Sequence, residues 1–390
     1  MEYLFKNTLK DYQIRELEKR IPLISETVFR YKIHYMNDSA YKISLIAESD
    51  FSDIEITQML DYLLDDIYKL KDIPSKLKWE RKRNFVLSGD TGILNNGCAY
   101  ENSPGQVTLS GDLLKLFNAF NELFRQISLY MFNSKEFQFP VLLPTEVLKK
   151  AGYFEHTPYQ WLTVSRIKRG LFNYKQFACS LEDQEITAEM CDSGYSMPPT
   201  MCYYVYDMLK NHNVNNSSFT TCGRSFRYEG CCVEPFVRLI DFTIRETVFI
   251  GNQEYVESSI DQYMAMTTKI MDILNLCGKC VSANDMFFMT DNTAARLNVQ
   301  KMLGTKYELL LDTPNNDMIA VASFNKHMNY IGKRFNIHIE DEKNAIVFSS
   351  CVGVGLERML YACVNQLGSK SIEQIIEVLS DVDNIMGLLH

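Results

Sequence analysis

One segment, residues 226–246, restricts the fold and chemistry of this chain more than any other: FRYE, a loop, and then RLIDFTIRE. Alternation along an extended strand places Arg227 and Glu229 on one face. A four-residue spacing puts three further side chains on one face of a returning strand: Arg238, Phe242 and Glu246. These groups suit a nucleoside triphosphate, because arginine binds phosphate in fork geometry and an aromatic ring can stack on a base. A surface hairpin with alternating charges is the alternative interpretation.

A second segment, residues 349–358 (SSCVGVGLER), runs from a predicted strand into a predicted helix. Glycines at 353 and 355 allow close approach of the backbone before the helix begins. Arg358 would lie on the first helical turn, beside the positive end of the helix dipole, where phosphate is favoured. Two glycines at a strand-to-helix turn are common, so this spacing alone is weak evidence.

Together, the two segments resemble motifs 2 and 3 of the class II aminoacyl-tRNA synthetases: Phe-Arg-x-Glu, a loop, Arg-x3-Phe-x3-Glu, and later Gly-x-Gly-x-x-Arg. A helix at 112–130 capped by Asp112, followed by a strand at 137–143 that contains Pro140, resembles motif 1, the dimer-forming element of that class. The resemblance implies an α+β fold, with an antiparallel sheet flanked by helices, and a homodimer.

Five blocks also occur in the order of a narrower family: residues 200–204, 245–251, 283–288, 323–332 and 350–355. They resemble the amino acid:carrier protein ligases, homologues of the catalytic core of the atypical zinc-dependent seryl-tRNA synthetases, over roughly residues 87–390. The resemblance implies that ATP activates a small amino acid as its adenylate. The aminoacyl group would then pass to the phosphopantetheine thiol of a carrier protein. The alternatives are an enzyme that charges tRNA and a catalytically silent regulatory paralogue.

The same resemblance implies a zinc ion held by Cys202, Glu246 and Cys351, with the amino group of the substrate in the fourth position. Three protein ligands are the pattern of an open zinc site. A single buried cysteine is more often an apolar thiol. The competing pair, Cys277 and Cys280, has no second pair at suitable spacing, since Cys231-Cys232 is too tight, and is interpreted as structural.

The resemblance also assigns the nucleotide contacts. Arg227 would bind the α-phosphate, and Arg238 and Arg358 would bind the β- and γ-phosphates, with Arg227 and Arg358 as catalytic residues. Phe242 would stack on adenine, and Glu229 would accept a hydrogen bond from the adenine amino group.

Magnesium would bridge the phosphates, but its protein ligands stay open. Class II synthetases usually carry a metal-binding carboxylate just ahead of the motif 3 serines, where Val347 and Phe348 stand in this chain. The nearest acids are Glu340, Asp341 and Glu342. Asn325 is expected to bind substrate and is a further candidate for this site.

Hydrophobic periodicity divides the chain into a small N-terminal α+β domain, residues 1–85, and a catalytic domain, residues 86–390. The first domain is predicted to hold a helix at 9–21 stopped by Pro22, strands at 28–36 and 42–47, and a helix at 54–70 capped by Ser52 or Asp53. A basic run, 76–83, is interpreted as the linker, or as a docking patch for an acidic partner. Further strands are expected at 225–228, 239–250, 307–311 and 345–351, and further helices at 258–276 and 371–379.

The composition limits the partners. The net charge of −9 and the isoelectric point near 5.3 disfavour a protein that coats nucleic acid, which makes tRNA an unexpected partner. No run of about 20 apolar residues could span a membrane, and the N-terminus lacks the apolar core of a secretory signal. Eleven cysteines are too sparse for a disulfide scaffold. We therefore expect a cytoplasmic protein with reduced thiols.

Overall fold

The structure is a computed structural model that describes most of the chain. The described residues are 1–24, 28–36, 39–47, 52–84, 87, 93, 97–183, 189–230, 233–284, 293–314, 317–340, 345–368 and 372–389. No helix among them is long and apolar enough to cross a membrane.

The N-terminal unit packs two helices on a three-stranded antiparallel sheet of order β1-β3-β2. Its elements are β1 (Glu2–Leu9), α1 (Asp11–Arg20), β2 (Val28–Met36), β3 (Ser39–Ala47) and α2 (Asp53–Ile67). The predicted strand at 28–36 is confirmed at both ends, and Ser52 caps α2 through its hydroxyl, which accepts the Glu55 backbone N–H. Strand β1 was not predicted, because polar residues interrupt its apolar alternation.

The rest of the chain supplies the remaining elements. They begin with β4 (Leu77–Arg81), β5 (Ala99–Ser103), β6 (Gln106–Leu109), α3 (Gly111–Gln126), β7 (Lys135–Glu136), β8 (Leu143–Pro144), α4 (Thr145–Ala151), α5 (Tyr153–His156), β9 (Thr163–Ile167), α6 (Leu171–Asp183), β10 (Met190–Ser196) and α7 (Cys202–Met208). They continue with β11 (Asn213–Val214), β12 (Ser217–Phe226), β13 (Asp241–Gly251), α8 (Gln253–Ile273), β14 (Gly278–Ser282), α9 (Thr293–Leu303), β15 (Lys306–Asp312) and β16 (Met318–Met328). The last are α10 (Tyr330–Phe335), β17 (His338–Ile339), β18 (Phe348–Gly355), α11 (Leu356–Leu367), α12 (Ile372–Ser380) and α13 (Val382–Leu389).

An eight-stranded sheet of order β4-β14-β15-β16-β18-β13-β12-β7 organises this part of the chain. Every neighbouring pair is antiparallel except β12 and β7. The α+β class with an antiparallel sheet flanked by helices is therefore confirmed. The strands predicted at 239–250 and 307–311 correspond to β13 and β15, each shifted by at most two residues.

Two predictions for this region are wrong. The basic run 76–83 is not a linker: it contains β4, which pairs with β14 at the edge of the large sheet. The predicted strand at 137–143 is absent, and only β7 and the two-residue β8 flank that segment. Pro140 has no N–H to donate, so a continuous strand there would lose a ladder hydrogen bond. The domain division at residue 85 and the homodimer stay predictions.

Alternation along β13 separates a packed face from a cavity face. Arg245 and Thr247 point to the side where α3 and α8 pack, since Arg245 Nε donates to Asn121 and Thr247 bonds Ser128. Glu246 points to the opposite side and lines a cavity there. The helices thus stabilise the sheet from behind, and the front is left for a functional site.

Candidate active site and metal centre

A cavity of about 930 Å³ opens on the front of the sheet. Strands β13, β16 and β18 form its floor, and α7 and α10 form one wall. Helix α9 and one residue of the N-terminal unit, Lys19, also line it. The cavity therefore draws on elements from both ends of the chain.

The three predicted metal ligands meet in this cavity. Cys202 is the first residue of α7, Glu246 lies in the middle of β13, and Cys351 lies in β18, opposite Val248. All three are buried, and one ligand atom from each lies within 4.8 Å of the others. Among the described residues, this is the one group of three or more Cys, His, Asp or Glu side chains close enough to hold a metal.

Glu246 fixes the start of α7 against the sheet. Its Oε2 accepts hydrogen bonds from Thr200 Oγ1 at 2.7 Å, from Met201 N at 2.8 Å and from Cys202 N at 2.9 Å. The two backbone donors are the orphan groups of a helix N-terminus, and a carboxylate is favoured there. With Oε2 occupied in this way, Oε1 is the oxygen left for a metal.

The donor set fits zinc. Two sulfurs and one carboxylate oxygen leave a fourth tetrahedral position, as in catalytic zinc sites. Burial raises the pKa of Cys202 well above its ordinary value, and it raises the pKa of Glu246 to about 8, with the charge of Cys351 adding to the effect. A hydrogen bond from Cys202 lowers the pKa of Cys351. A divalent cation would therefore displace protons when it binds.

The competing cysteine pair forms no such group in the described part of the chain. Cys277 lies just before strand β14 and Cys280 lies within it; both are buried, and burial raises the pKa of Cys280 to about 12. Gln366 bonds both the N–H and the carbonyl of Cys277 through its side-chain amide. A structural role is consistent with this packing. Cys231 and Cys232 lie outside the described residues.

The five residues assigned to ATP line the same cavity: Arg227, Glu229, Arg238, Phe242 and Arg358. The expectation that strand alternation brings them together is wrong for three of them. Strand β12 ends at Phe226 and β13 begins at Asp241, so Arg227, Glu229 and Arg238 lie on the connecting loop rather than on strand faces. Their roles in binding ATP stay predictions.

The loop positions these side chains through backbone and ring contacts. Arg227 Nε donates to Pro199 O at 3.1 Å, and its guanidinium lies 5.2 Å from the centroid of the Phe242 ring. Arg238 Nε lies 3.9 Å from Glu229 Oε2. Burial raises the pKa of Glu229, while the arginines oppose that shift.

Arg358 lies in the first turn of α11, as predicted. Its Nε donates to Val237 O at 2.8 Å, and its Nη1 donates to Ala320 O at 3.2 Å. Burial lowers the pKa of Arg358 to about 10, and the nearby charge of Arg227 lowers it further. Such a desolvated cationic group favours a polyanion over water.

Only some of the expected magnesium ligands lie in the described part of the chain. Glu340 accepts a hydrogen bond from Asn215 and is not among the cavity-lining residues. Asp341 and Glu342 lie outside the described residues, as do residues 285–288 of one matched block. Asn325 does line the cavity. Glu308 of β15 also lines the cavity, and its Oε1 lies 3.0 Å from Lys306 Nζ.

Several cavity residues were not found from the sequence. Tyr206 follows Cys202 by four positions in α7, and this helical spacing could have placed both on one side of the helix. Lys19 and Arg296 also line the cavity. No local pattern signals them, because they arrive through the packing of α1 and α9.

Comparisons with known proteins show which class of fold this chain has. The family model "tRNA synthetase class II core domain (G, H, P, S and T)" matches residues 185–367. The structure of M. kandleri seryl-tRNA synthetase in complex with A. aeolicus tRNASec superposes with a TM-score of 0.69 at 17% identity, covering 97% of this chain and 77% of that chain. The ATP complex of Pyrococcus horikoshii seryl-tRNA synthetase superposes with a TM-score of 0.60 at 12% identity, covering 84% and 81%. The chain therefore has the class II synthetase fold, and the match to the core-domain model covers a little under half of its length.

Two relatives show which kind of synthetase this chain resembles in sequence. The type-2 serine–tRNA ligase of Methanococcus aeolicus is 28% identical over 278 residues, which are 68% of this chain and 53% of the relative. The enzyme of Methanocaldococcus jannaschii is 26% identical, with the same two coverages. This chain is thus a distant homologue of the type-2 seryl-tRNA synthetases, and it spans about half the length of these curated relatives. Both relatives are tRNA ligases rather than carrier protein ligases.

Proposed function

We propose that this chain uses ATP to activate a small α-amino acid as an aminoacyl-adenylate, at a zinc centre formed by Cys202, Glu246 and Cys351. One observation carries the proposal: the three buried ligands and the five residues assigned to ATP line one cavity. An amino acid held at the ligands would therefore lie beside a nucleotide held at the arginines. Zinc, when bound, would offer its fourth position to the substrate amino group.

The chain's own residues would work mainly by positioning and by charge neutralisation. The amino acid carboxylate attacks the α-phosphorus of ATP, a new O–P bond forms, and the bond to the departing pyrophosphate breaks. Arg227 would hold the α-phosphate, and Arg238 and Arg358 would hold the pyrophosphate. Magnesium keeps several waters and needs one or two carboxylates, so we propose Glu308 as its ligand in the cavity wall.

The acceptor of the aminoacyl group has two candidates. The relatives named above act on tRNA, and the fold similarity to the synthetase of the tRNASec complex covers 97% of this chain, including the N-terminal unit. These findings support the tRNA alternative better than the carrier protein, and a tRNA hydroxyl is our first candidate. The phosphopantetheine thiol of a carrier protein is the second, favoured by the net charge of −9, which opposes a polyanionic partner.

Amino acid-dependent exchange of labelled pyrophosphate into ATP tests the adenylation step. We expect exchange with at least one amino acid from a panel of glycine, alanine and serine. Lack of exchange with all twenty amino acids, by a protein that still contains zinc, would instead support the silent paralogue.

Transfer is tested separately, by giving the purified protein labelled amino acid, ATP and either total tRNA or a phosphopantetheinylated carrier protein. An acid-precipitable ester on RNA would identify tRNA, and a hydroxylamine-sensitive thioester on the carrier would identify the thiol. An apo carrier protein without the arm is the matched control for the second assay.

A further inference from the structure

Strand β16 places two side-chain nitrogens beside a single sulfur of the candidate metal centre. Asn325 pairs with Cys351 in the register between β16 and β18. His327 follows two residues later, where the register between β16 and β18 shifts between Lys326 and Met328. Asn325 Nδ2 lies 3.7 Å from Cys351 Sγ, and His327 Nε2 lies 3.3 Å from it.

The other two ligands are held in a different way. The backbone N–H groups that open α7, together with Thr200, occupy one oxygen of Glu246. Cys202 Sγ lies 4.0 Å from the hydroxyl oxygen of Thr200. Cys351 is thus the ligand whose sulfur has two side-chain nitrogens beside it, the amide nitrogen of Asn325 and a ring nitrogen of His327. A buried thiolate without donors is costly, whereas N–H···S contacts replace the lost hydration.

His327 is itself packed against the helix that supplies another ligand. The rings of Tyr206 and His327 meet edge-on, with centroids 6.0 Å apart and an interplanar angle of 88°. Tyr206 lies one helical turn after Cys202. Helix α7 therefore contributes a ligand from its first turn and a wall for His327 from the next.

We infer that Asn325 and His327 are positioning residues of the metal centre, which hold the sulfur of Cys351 in place beside Cys202 and Glu246. This inference rests on the proposed zinc site. The N–H of His327 must be on Nε2 for the contact to be a hydrogen bond. Replacing a side chain that hydrogen-bonds a metal ligand typically weakens metal affinity by about 10–100-fold.

The test compares two variants of the full chain in a chelator competition for zinc. His327→Phe keeps a ring against Tyr206 but loses the donor, and His327→Gln keeps an N–H donor without the ring. We expect zinc binding to weaken about 10–100-fold in His327→Phe and to recover in His327→Gln. His338→Phe, a histidine of β17 outside the cavity lining, is the control.

Cobalt substitution adds a readout that a purely structural role would not move. The sulfur-to-cobalt charge-transfer band should shift in His327→Phe and in Asn325→Leu, and stay in place in the control. Equal zinc affinity in both His327 variants would overturn the inference and leave the zinc site intact, whether the shared value matches the wild type or falls below it. A wild-type protein that binds no zinc would overturn the metal centre as well.

Discussion

The Oε2 atom of Glu246 accepts the backbone N–H of Cys202 at 2.9 Å. The contact joins the middle of a central strand to the first residue of a helix 44 positions earlier in the chain. It makes one candidate metal ligand the anchor of another, so losing the carboxylate would disturb both.

Replacing one ligand should empty the metal site. We expect Cys351→Ser and Glu246→Gln to lose nearly all bound zinc, because even open zinc sites use three protein ligands and only two would remain. Elemental analysis of the purified protein measures this directly. Cys280→Ser, which changes a buried cysteine of the same sheet, should keep one zinc per chain. Full zinc content in Cys351→Ser would refute the assigned ligand set.

Removing Arg227 should abolish adenylation without touching the metal. We expect Arg227→Ala to lower the rate of pyrophosphate exchange by about 10²–10³-fold, the usual effect of deleting a donor to a developing charge. Zinc content should be unchanged. Arg81→Ala removes a half-buried arginine of β4 that does not line the cavity, and should leave exchange within about twofold. Exchange retained by Arg227→Ala would show that the α-phosphate is bound elsewhere.

Zinc affinity should rise with pH. Burial raises the pKa of Cys202 above its ordinary value and that of Glu246 to about 8, so both ligands carry protons at neutral pH in the metal-free protein. Each proton displaced makes the apparent affinity about tenfold stronger per pH unit, up to the pKa of the group. Competition titrations at about pH 6.5, 7.5 and 8.5 measure the slope. A zinc affinity that does not change with pH across this range would contradict the proposal that Cys202 and Glu246 are protonated in the metal-free protein.

Stripping the metal should make folding stability pH-dependent. The pKa of Glu246 is raised from 4.5 in the unfolded chain to about 8 in the fold. The contribution of Glu246 to the free energy of unfolding is therefore fully present below about pH 4.5 and is lost as the pH rises through 8. The loss is on the order of a few kcal/mol. Urea unfolding of chelator-treated protein at about pH 6 and pH 8.5 should show the loss. Glu246→Gln, which cannot ionise, lacks this contribution, so the wild type should lose stability relative to this variant between the two pH values.

The sequence by itself determined much of this protein, because short motifs reflect local chemistry. Strand β2 follows from alternation, the cap of α2 is Ser52, one of the two predicted candidates, and Arg358 lies in the first turn of α11 as predicted. The meeting of Cys202, Glu246 and Cys351 in space was also predictable, through blocks that resemble a known family.

Only the tertiary structure decided the rest, since it depends on contacts between distant parts of the chain. A basic run became strand β4 because β14 offered it a free edge, which overrides local polarity. Lys19 reached the cavity through the packing of α1. The two nitrogens beside Cys351 come from strand β16, whose register with β18 is set by the whole sheet. Local patterns record what one segment can form, but the partner of each side chain is selected by long-range packing.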